Sequence, residues 1–336
     1  MYRGALIGCG NIAARGHLPA LRSDPVLHEA ARIVAVVDVV DPRPAHPELL
    51  DGASYFPTLD ALLRTQRVDF VDICAPPSTH ADAIEICARE GLHILCEKPL
   101  TDRPASVARV SSALRGTQSV FVPCHQYKYA PLWSAIERCI AAGSLGRVTL
   151  ARFEVWRTQA DTGTAAWNPA WRTQRELGGG GVLTDTGAHY FYLARWMFGM
   201  PQRVTAVLRN LKHPHYAVED TALVTLEYDQ MAVQLALTWA ASERANSVYI
   251  TGTEGSLAYD GMRLLQTTAG GTHEIPIGDV SDKSQYVSWY AALVREFVQR
   301  MRSANTSLDL LEEAEAVMHL LEVAYRAGAE HRTLDV

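Results

Sequence analysis

The first 122 residues alternate short apolar runs with segments of helical periodicity, and this alternation restricts the fold more than any other feature of the sequence. Apolar runs of strand length lie at residues 5–7, 33–37, 68–74, 93–96 and 119–122. Segments with helical spacing separate them at residues 11–22, 59–65, 81–90 and 104–114. Strands that alternate with helices form a mostly parallel sheet built of βαβ units. The sequence therefore predicts an α/β domain over residues 1–122.

The first of these units carries a glycine-rich turn. Gly8 and Gly10 belong to a G-x-G-x-x-A pattern that ends at Ala13 and separates the first strand from a helical segment. In such a pattern the first glycine permits a tight turn, the second lets the backbone approach a pyrophosphate, and the third small residue lets helix and strand lie close together. The free N–H groups at the helix start attract anions. The pattern predicts a Rossmann-type dinucleotide site.

An acidic residue follows the second predicted strand. A carboxylate at the position of Asp38 can accept hydrogen bonds from both adenosine ribose hydroxyls and would repel a 2′-phosphate. Asp38 therefore favours NAD over NADP as the cofactor. Arg43 follows a few residues later and could soften that preference.

After residue 122 the pattern changes to longer strands joined by turns. Alternating apolar positions at residues 221–228 and 232–239 predict an antiparallel hairpin. Further strand-like runs lie at residues 148–156, 204–209, 248–251, 256–259 and 264–266, and helices are expected at residues 131–142, 286–301 and 310–327. We therefore expect a second, α+β domain over residues 123–336 with a large, mainly antiparallel open sheet.

Composition and charge exclude several classes of protein. The 336 residues include 31 basic and 37 acidic side chains with a net charge of −6 and no long basic run, so no nucleic-acid partner is expected. No apolar stretch reaches the ~18 residues of a membrane helix and the start shows no leader pattern, so a cytoplasmic protein without a membrane partner is expected. The six cysteines form no C-x-x-C pair, which predicts buried thiols rather than disulfides or metal ligands.

Three further motifs complete a pattern that resembles a known family. They are CAPPSTH at residues 74–80, CEKPL at residues 96–100 and GGGGVLTDTGAH at residues 178–189. Together with the glycine-rich turn they resemble the glucose-fructose oxidoreductase, inositol dehydrogenase and rhizopine catabolism (Gfo/Idh/MocA) family. Residues 219–222 and 251–256 also resemble strand signatures of its second domain. The resemblance implies a pyridine-nucleotide oxidoreductase acting on a ring hydroxyl or carbonyl of a sugar or cyclitol.

The resemblance also implies roles for individual residues. The positions that match the family's catalytic residues are Lys98, Asp185 and His189. The residues expected to bind the cofactor are Gly8, Gly10, Asn11, Ile12, Asp38, Ala75, Pro76, Pro77, His80, Glu97 and Lys98. The residues expected to bind the substrate are His125, Tyr127, Trp156, Trp167, Arg172, Asp185 and His189. Aromatic faces with polar tips suit sugar rings.

Oxidation of a secondary alcohol requires a base within about 3 Å of the hydroxyl. His189 suits this task because the pKa of an imidazole ordinarily lies near neutrality. Asp185 precedes His189 by four residues on an expected helix and could orient its ring. Lys98 could donate a hydrogen bond to the substrate oxygen or relay its proton. The resemblance also implies that the Lys98–Pro99 peptide bond is cis.

These features predict an NAD-dependent dehydrogenase that oxidises a secondary ring hydroxyl of a sugar, cyclitol or (amino)glycoside, with antibiotic sugar tailoring as one setting. Three alternatives stay open: a keto-sugar reductase working in the reverse direction, a redox-assisted glycosidase, and a non-catalytic sugar or NAD sensor. The expected partner is a small-molecule carbohydrate. The resemblance further implies a homodimer or homotetramer.

Overall fold

A six-stranded parallel sheet organises the first half of the chain. The computed structural model describes residues 1–165, 167–277 and 286–336. The strands of this sheet are β1 (Tyr2–Ile7), β2 (Ala31–Val37), β3 (Ser54–Phe56), β4 (Phe70–Ile73), β5 (His93–Cys96) and β6 (Phe121–Pro123). Their order is β3-β2-β1-β4-β5-β6, with every neighbouring pair parallel. The predicted Rossmann fold is confirmed.

Short helices connect these strands. They are α1 (Leu18–Ser23), α2 (Pro25–Ala30), α3 (Leu59–Thr65), α4 (His80–Arg89) and α5 (Val107–Arg115). A π-helical turn over Ala13–His17 leads into α1, and α2 was not expected from the sequence. Asp24 separates α1 from α2, because its carboxylate accepts hydrogen bonds from the backbone N–H groups of Val26 and Leu27 and so caps α2.

A nine-stranded sheet organises the second half. Its strands are β7 (Val148–Trp156), β8 (Arg203–Arg209), β9 (Thr221–Glu227), β10 (Ala232–Thr238), β11 (Ala245–Gly252), β12 (Gly255–Tyr259), β13 (Leu264–Thr268), β14 (Gly271–Ile275) and β15 (Leu334–Asp335). Their order is β14-β13-β12-β11-β7-β10-β9-β8-β15, and the pair β7–β10 is parallel among antiparallel neighbours. The predicted hairpin is confirmed as β9–β10.

The second sheet has one covered and one open face. Its helices are α6 (Pro131–Ala141), α7 (Arg175–Gly178), α8 (Ala188–Phe198) and α10 (Asp309–Glu330). Phe153 and Leu235 are buried on the covered face, whereas Val207, Leu223 and Tyr249 are exposed on the other. Strand side chains alternate between the two faces, which explains this division. The described helices include none with the length and apolarity to cross a membrane.

One late helix packs on the first sheet. Helix α9 (Tyr286–Arg302) follows the strands of the second sheet in sequence, but its Phe297 ring meets Phe70 of β4 with centroids 5.6 Å apart. Arg295 of α9 also pairs with the Asp24 carboxylate. The chain thus returns to the first domain before α10, and the space between the two sheets becomes a cleft.

Candidate active site

The glycine-rich turn after β1 closes one end of this cleft. Gly8 has a φ of +83°, and its N–H donates to the Val37 carbonyl oxygen at 2.8 Å. A Cβ at Gly8 would lie 2.7 Å from the backbone of Ala75, whereas a Cβ at Gly10 would meet nothing within 4 Å. Space therefore remains in front of Gly10, where the pattern predicts a pyrophosphate.

Asp38 lies directly behind the turn. Its Oδ2 accepts a hydrogen bond of 2.7 Å from the Cys9 N–H, so this carboxylate also holds the turn against the end of β2. The Arg43 guanidinium is bound by Asp41 at 2.7 Å and lies over the Tyr55 ring. Arg43 is therefore occupied by a carboxylate, which weakens the expectation that it softens the NAD preference.

Glu97 anchors the loop that carries Lys98. Its carboxylate accepts hydrogen bonds from the Tyr290 hydroxyl at 2.6 Å and from the Lys98 backbone N–H at 3.1 Å. Glu97 also contacts the His17 ring. The two ring nitrogens of His17 lie 3.1 Å from the Glu97 carboxylate and 2.9 Å from the Asp72 carboxylate. Burial opposes protonation of His17, but the two carboxylates outweigh it and raise the His17 pKa to about 10. The Lys98–Pro99 bond is cis, as expected.

His80 does not face the cleft, contrary to its expected place in the cofactor site. Its side chain is fully buried, and its two ring nitrogens lie 2.9 Å from the carbonyl oxygens of Ala75 and Pro99. The histidine therefore ties together two loops that border the cleft. Ala75 and Pro77 lie on the cleft side, together with Ile12.

Lys98 and Asp185 meet across the cleft. The Lys98 ammonium donates to the Asp185 main-chain oxygen at 2.5 Å and lies 3.3 Å from its Oδ1. Arg172 approaches the same Oδ1 at 3.5 Å. Burial raises the pKa of the Asp185 carboxyl, but Lys98 and Arg172 prevail and hold that pKa below its ordinary value. The carboxylate is thus kept ionised between two cations.

His189 lies at the start of α8 with its ring against Tyr127. The two rings stack with centroids 4.2 Å apart and 8° between their planes. The orienting partner of His189 is Tyr192, whose hydroxyl lies 2.9 Å from Nδ1, and not Asp185 as expected. A π-helical turn over Leu183–Gly187 precedes α8, so spacing of four residues does not have its usual α-helical geometry there. Burial and the Lys98 charge hold the His189 pKa well below its ordinary value.

The cleft brings together several of the expected substrate residues. Tyr127, Arg172, Asp185 and His189 all line it, beside Lys98. Sequence reasoning missed other cleft residues, which include Arg157, Trp171, Tyr190, Trp239, Tyr286 and Tyr290. The sequence contains a signal for Trp239. The apolar alternation of β10 continues to this residue, which is buried on the covered side of the sheet.

Three expected substrate residues lie elsewhere. Trp156 is 40% exposed on the open face of the second sheet, because strand alternation directs the neighbouring Val155 into the cleft instead. Trp167 is 41% exposed and does not line the cleft. Trp171 lines the cleft instead. His125 is buried behind the cleft.

The burial of His125 results from a contact far along the chain. Its Nδ1 lies 2.5 Å from Glu313 Oε1 of α10, and its ring stacks on Tyr192 with centroids 4.1 Å apart. Lys128 pairs with the same carboxylate. Although burial raises the Glu313 pKa, the contact with His125 and the charge of Lys128 outweigh it and lower the Glu313 pKa to about 2. His125 therefore supports the wall behind His189.

All six cysteines are free thiols, and five of them are buried. Burial raises the pKa of Cys9 and of Cys87 to about 12 in each case. A thiol with such a pKa is protonated at neutral pH and has little nucleophilic character. The expected burial is confirmed for five of the six thiols, and Cys139 is half-buried.

Comparison with known proteins assigns both halves of the chain. Residues 2–125 match the "Oxidoreductase family, NAD-binding Rossmann fold", and residues 133–258 match the "GFO/IDH/MocA C-terminal domain". The inositol 2-dehydrogenase of Rhizobium meliloti (strain 1021) is 26% identical over 99% of this chain and 99% of its own. The dTDP-3,4-didehydro-2,6-dideoxy-alpha-D-glucose 3-reductase of Streptomyces violaceoruber is 28% identical over 95% of this chain and 94% of its own.

Solved structures are similar over the whole chain. GenD2 from gentamicin A biosynthesis, in complex with NAD, superposes with a TM-score of 0.83 at 26% identity and covers 100% of this chain and 96% of that chain. A levoglucosan dehydrogenase in complex with NADH and L-sorbose superposes with a TM-score of 0.86 at 18% identity, which supports the fold. Both domains and the motifs around the cleft agree, and the chain belongs to the Gfo/Idh/MocA family of NAD-dependent oxidoreductases.

Proposed function

We propose that this chain is a dehydrogenase that oxidises a secondary ring hydroxyl of a sugar, cyclitol or (amino)glycoside to a ketone. One observation carries the proposal: Lys98 of the first domain meets Asp185 of the second at 2.5 Å, and His189 lines the same cleft. An ammonium, a carboxylate and an imidazole around one cavity supply the hydrogen bonds and proton transfer that alcohol oxidation needs.

The cofactor side of the cleft suits NAD. The turn at Gly8 and Gly10 would hold the pyrophosphate, and Asp38 at the end of β2 would accept the adenosine ribose hydroxyls. The Lys98 loop and the loop at Ala75 and Pro77 would face the nicotinamide end. When bound, the nicotinamide ring accepts hydride at C4.

The opposite side of the cleft suits a polar ring. Aromatic rings of Tyr127, Trp171, Tyr190 and Trp239 line it together with Arg172. Aromatic faces pack on the C–H groups of a sugar, and charged groups bind its hydroxyls. The similarity to a protein from gentamicin A biosynthesis supports an amino-sugar glycoside as the substrate and a role in antibiotic sugar tailoring.

The experiment is a substrate panel. Purified protein and NAD are incubated with inositols, hexoses and amino-sugar glycosides, and formation of NADH is followed by absorbance. We expect NADH to form with at least one ring alcohol, and we expect Lys98→Met to abolish turnover while NAD binding persists. Absence of NADH with every member of the panel, together with no NADH consumption by the matching ketones, would contradict the proposal.

A keto-sugar reductase is the second candidate. The similarity to a dTDP-ketosugar 3-reductase from Streptomyces violaceoruber favours it. The same residues would then act in the opposite direction, with a proton delivered to the carbonyl oxygen. Turnover of NADH by ketones at rates well above the oxidation of every alcohol in the panel would favour this direction.

We also propose that the chain works as a homodimer or homotetramer. The open face of the second sheet exposes Val207, Leu223 and Tyr249, and monomeric proteins rarely leave large apolar patches in water. Light scattering on purified protein measures the mass directly. A monomeric mass at micromolar concentration would contradict the proposal.

A further inference from the structure

The hydroxyl of Tyr192 lies in a buried pocket with two polar neighbours. The backbone N–H of Tyr127 donates to the Tyr192 oxygen at 3.1 Å, and His189 Nδ1 lies 2.9 Å from the same oxygen. The Tyr192 side chain is fully buried. A tyrosine hydroxyl carries one proton to donate and also accepts hydrogen bonds.

The direction of the Tyr192–His189 hydrogen bond follows from counting protons. An amide N–H can only donate, so Tyr192 accepts from Tyr127 and its own proton needs another acceptor. Among the residues that the structure describes, His189 Nδ1 is the one acceptor within hydrogen-bond distance of this hydroxyl. A proton on Nδ1 would leave the Tyr192 O–H buried without a partner, an arrangement that folded proteins avoid. Tyr192 therefore donates to His189.

The ring must then carry its own proton on the other nitrogen. Burial, Lys98 and His125 all lower the His189 pKa, so the imidazole is neutral with a single N–H. Nδ1 accepts from Tyr192, which leaves the proton on Nε2. His189 lines the cleft, and Nε2 has no protein partner within the described ranges. The nitrogen available to a ligand is thus a donor.

Stacking keeps the ring from turning over. Tyr127 covers one face of His189 with planes 8° apart, and His125 stacks on Tyr192 with planes 18° apart. Glu313 in turn holds His125. A half-turn of the imidazole, which would exchange the two nitrogens, has to disrupt this stack.

We propose that Tyr192 fixes His189 as the Nε2–H tautomer, so that His189 donates a hydrogen bond to the substrate oxygen and Lys98 removes the proton. The inference rests on the proposed dehydrogenase function and reverses the expected role of His189 as the base. Tyr192 is a positioning residue, and His189 is the catalytic residue that touches the substrate.

Oxidation starts with Lys98 as the neutral amine, after it has released one proton to solvent by way of the Asp185 carboxylate, which lies 3.3 Å from its Nζ. The hydroxyl O–H bond breaks and its proton passes to the Lys98 amine, while the C–H electron pair leaves as hydride for the oxidised nicotinamide cofactor and the C=O double bond forms. His189 Nε2–H stabilises the negative charge that develops on oxygen. The ammonium formed on Lys98 lies 2.5 Å from the Asp185 main-chain oxygen and 3.3 Å from its carboxylate.

The tautomer can be measured without any substrate. Protein with ¹⁵N-labelled histidine is examined by NMR, and His189→Gln assigns the His189 signals among the 12 histidines. We expect a pyridine-type Nδ1 and a protonated Nε2, and a mixture of tautomers in Tyr192→Phe. Tyr228→Phe, which removes a hydroxyl bound to the Gly199 carbonyl outside the cleft, is the matched control. A protonated Nδ1 in the unmodified protein would overturn the proposal.

Kinetics then separate a donor from a base. The amide N–H of His189→Gln reaches the region of Nε2 but cannot accept the proton, so we expect kcat within about tenfold of the unmodified enzyme. His189→Ala should lose about a hundredfold or more. Equal loss in the two variants would overturn the donor role. A protein that shows the Nε2–H tautomer but oxidises no alcohol would contradict the proposed function and not the tautomer.

Discussion

Gly8 and Gly10 differ in their tolerance of a side chain, and the difference separates folding from cofactor binding. At Gly10 an added Cβ meets no protein atom within 4 Å, so Gly10→Ala should leave the melting temperature unchanged. The methyl group would occupy the space through which the backbone approaches a pyrophosphate, and we expect the Kd for NAD to rise at least about tenfold. Calorimetric titration and thermal melting test both parts.

Gly8→Ala is the contrasting variant. With a φ of +83° and a Cβ 2.7 Å from the Ala75 backbone, it should lower the melting temperature as well as weaken NAD binding. If Gly10→Ala bound NAD as tightly as the unmodified chain, the pyrophosphate would have to lie away from this turn.

Asp38 is expected to set the cofactor preference. Asp38→Ser removes the carboxylate that would repel a 2′-phosphate, so the Kd ratio of NADP to NAD should fall by about tenfold or more. The same change removes the acceptor for the Cys9 N–H, and NAD itself should bind more weakly. Dissociation constants of both dinucleotides, measured by titration, check this. Asp51→Ser, at an exposed position, serves as the control, and an unchanged ratio in Asp38→Ser would contradict the role.

At the residue scale, the short motifs predicted several residues that line the cleft. The contacts that the sequence did not predict depend on residues distant in the chain or on the geometry of a turn. Lys98, Asp185 and His189 could be predicted because each belongs to a short motif, and the structure places all three at one cleft. The place of His125 depends on Glu313, a residue so distant in sequence that no local pattern reveals their contact. Likewise, Tyr192 follows His189 by three residues, yet its hydrogen bond becomes visible only once the turn geometry is known.

At the element scale, the π-helical turn over Ala13–His17 packs closely against helix α9. A Cβ at Gly16 would lie 2.5 Å from the Tyr290 ring, which is fully buried and holds Glu97. Gly16→Ala should therefore reduce the free energy of unfolding by about 1–3 kcal/mol through overpacking. Urea denaturation measures the loss.

Gly116→Ala is the matched comparison for this packing prediction. Gly116 has an ordinary φ of −84°, and its added Cβ would meet its nearest atom at 3.4 Å. Its effect on the unfolding free energy should stay within about 0.5 kcal/mol. A Gly16→Ala variant as stable as Gly116→Ala would mean that α9 can shift away from the turn.

The elements that the sequence predicted were those with strong periodicity. Helix α3 over Leu59–Thr65 and strand β7 over Val148–Trp156 have the expected bounds. Strand β3 has three residues, and β14 is almost fully exposed, so neither leaves an apolar pattern to read. Periodicity predicted α9 as a helix, but its packing on the first sheet depends on contacts that sequence spacing does not encode.

At the scale of the whole molecule, the cleft depends on contacts that cross between the two sheets. Lys98 reaches Asp185, and the Asn11 side chain donates to the Thr162 main-chain oxygen at 3.0 Å. On the first-domain side, α9 brings Tyr290 to Glu97. The candidate catalytic groups are therefore positioned by contacts between both halves of the chain. A variant that destabilises the whole fold should also disturb the geometry of this site.

His17 connects this global stability to pH. Its ring joins Asp72 of β4 to Glu97 after β5 and lies against Tyr290 of α9, with ring centroids 4.2 Å apart. Its pKa is raised from 6.5 to about 10, so the folded state binds a proton that the unfolded state releases above pH 6.5. The stabilisation is complete below pH 6.5 and is lost as pH rises toward 10.

Between about pH 7.5 and about pH 9 we therefore expect the His17 contribution to the free energy of unfolding to fall by up to about 1.4 kcal/mol per pH unit. The histidines whose pKa is lowered in the folded state, such as His80 and His189, gain protons on unfolding mainly below about pH 7 and oppose this slope there, so the slope is measured above that pH. His17→Gln should be less stable and should lack this His17-dependent fall, whereas His28→Gln, at an exposed site, should keep it. Urea denaturation at several pH values measures it, and an equal slope in His17→Gln would show that another group titrates.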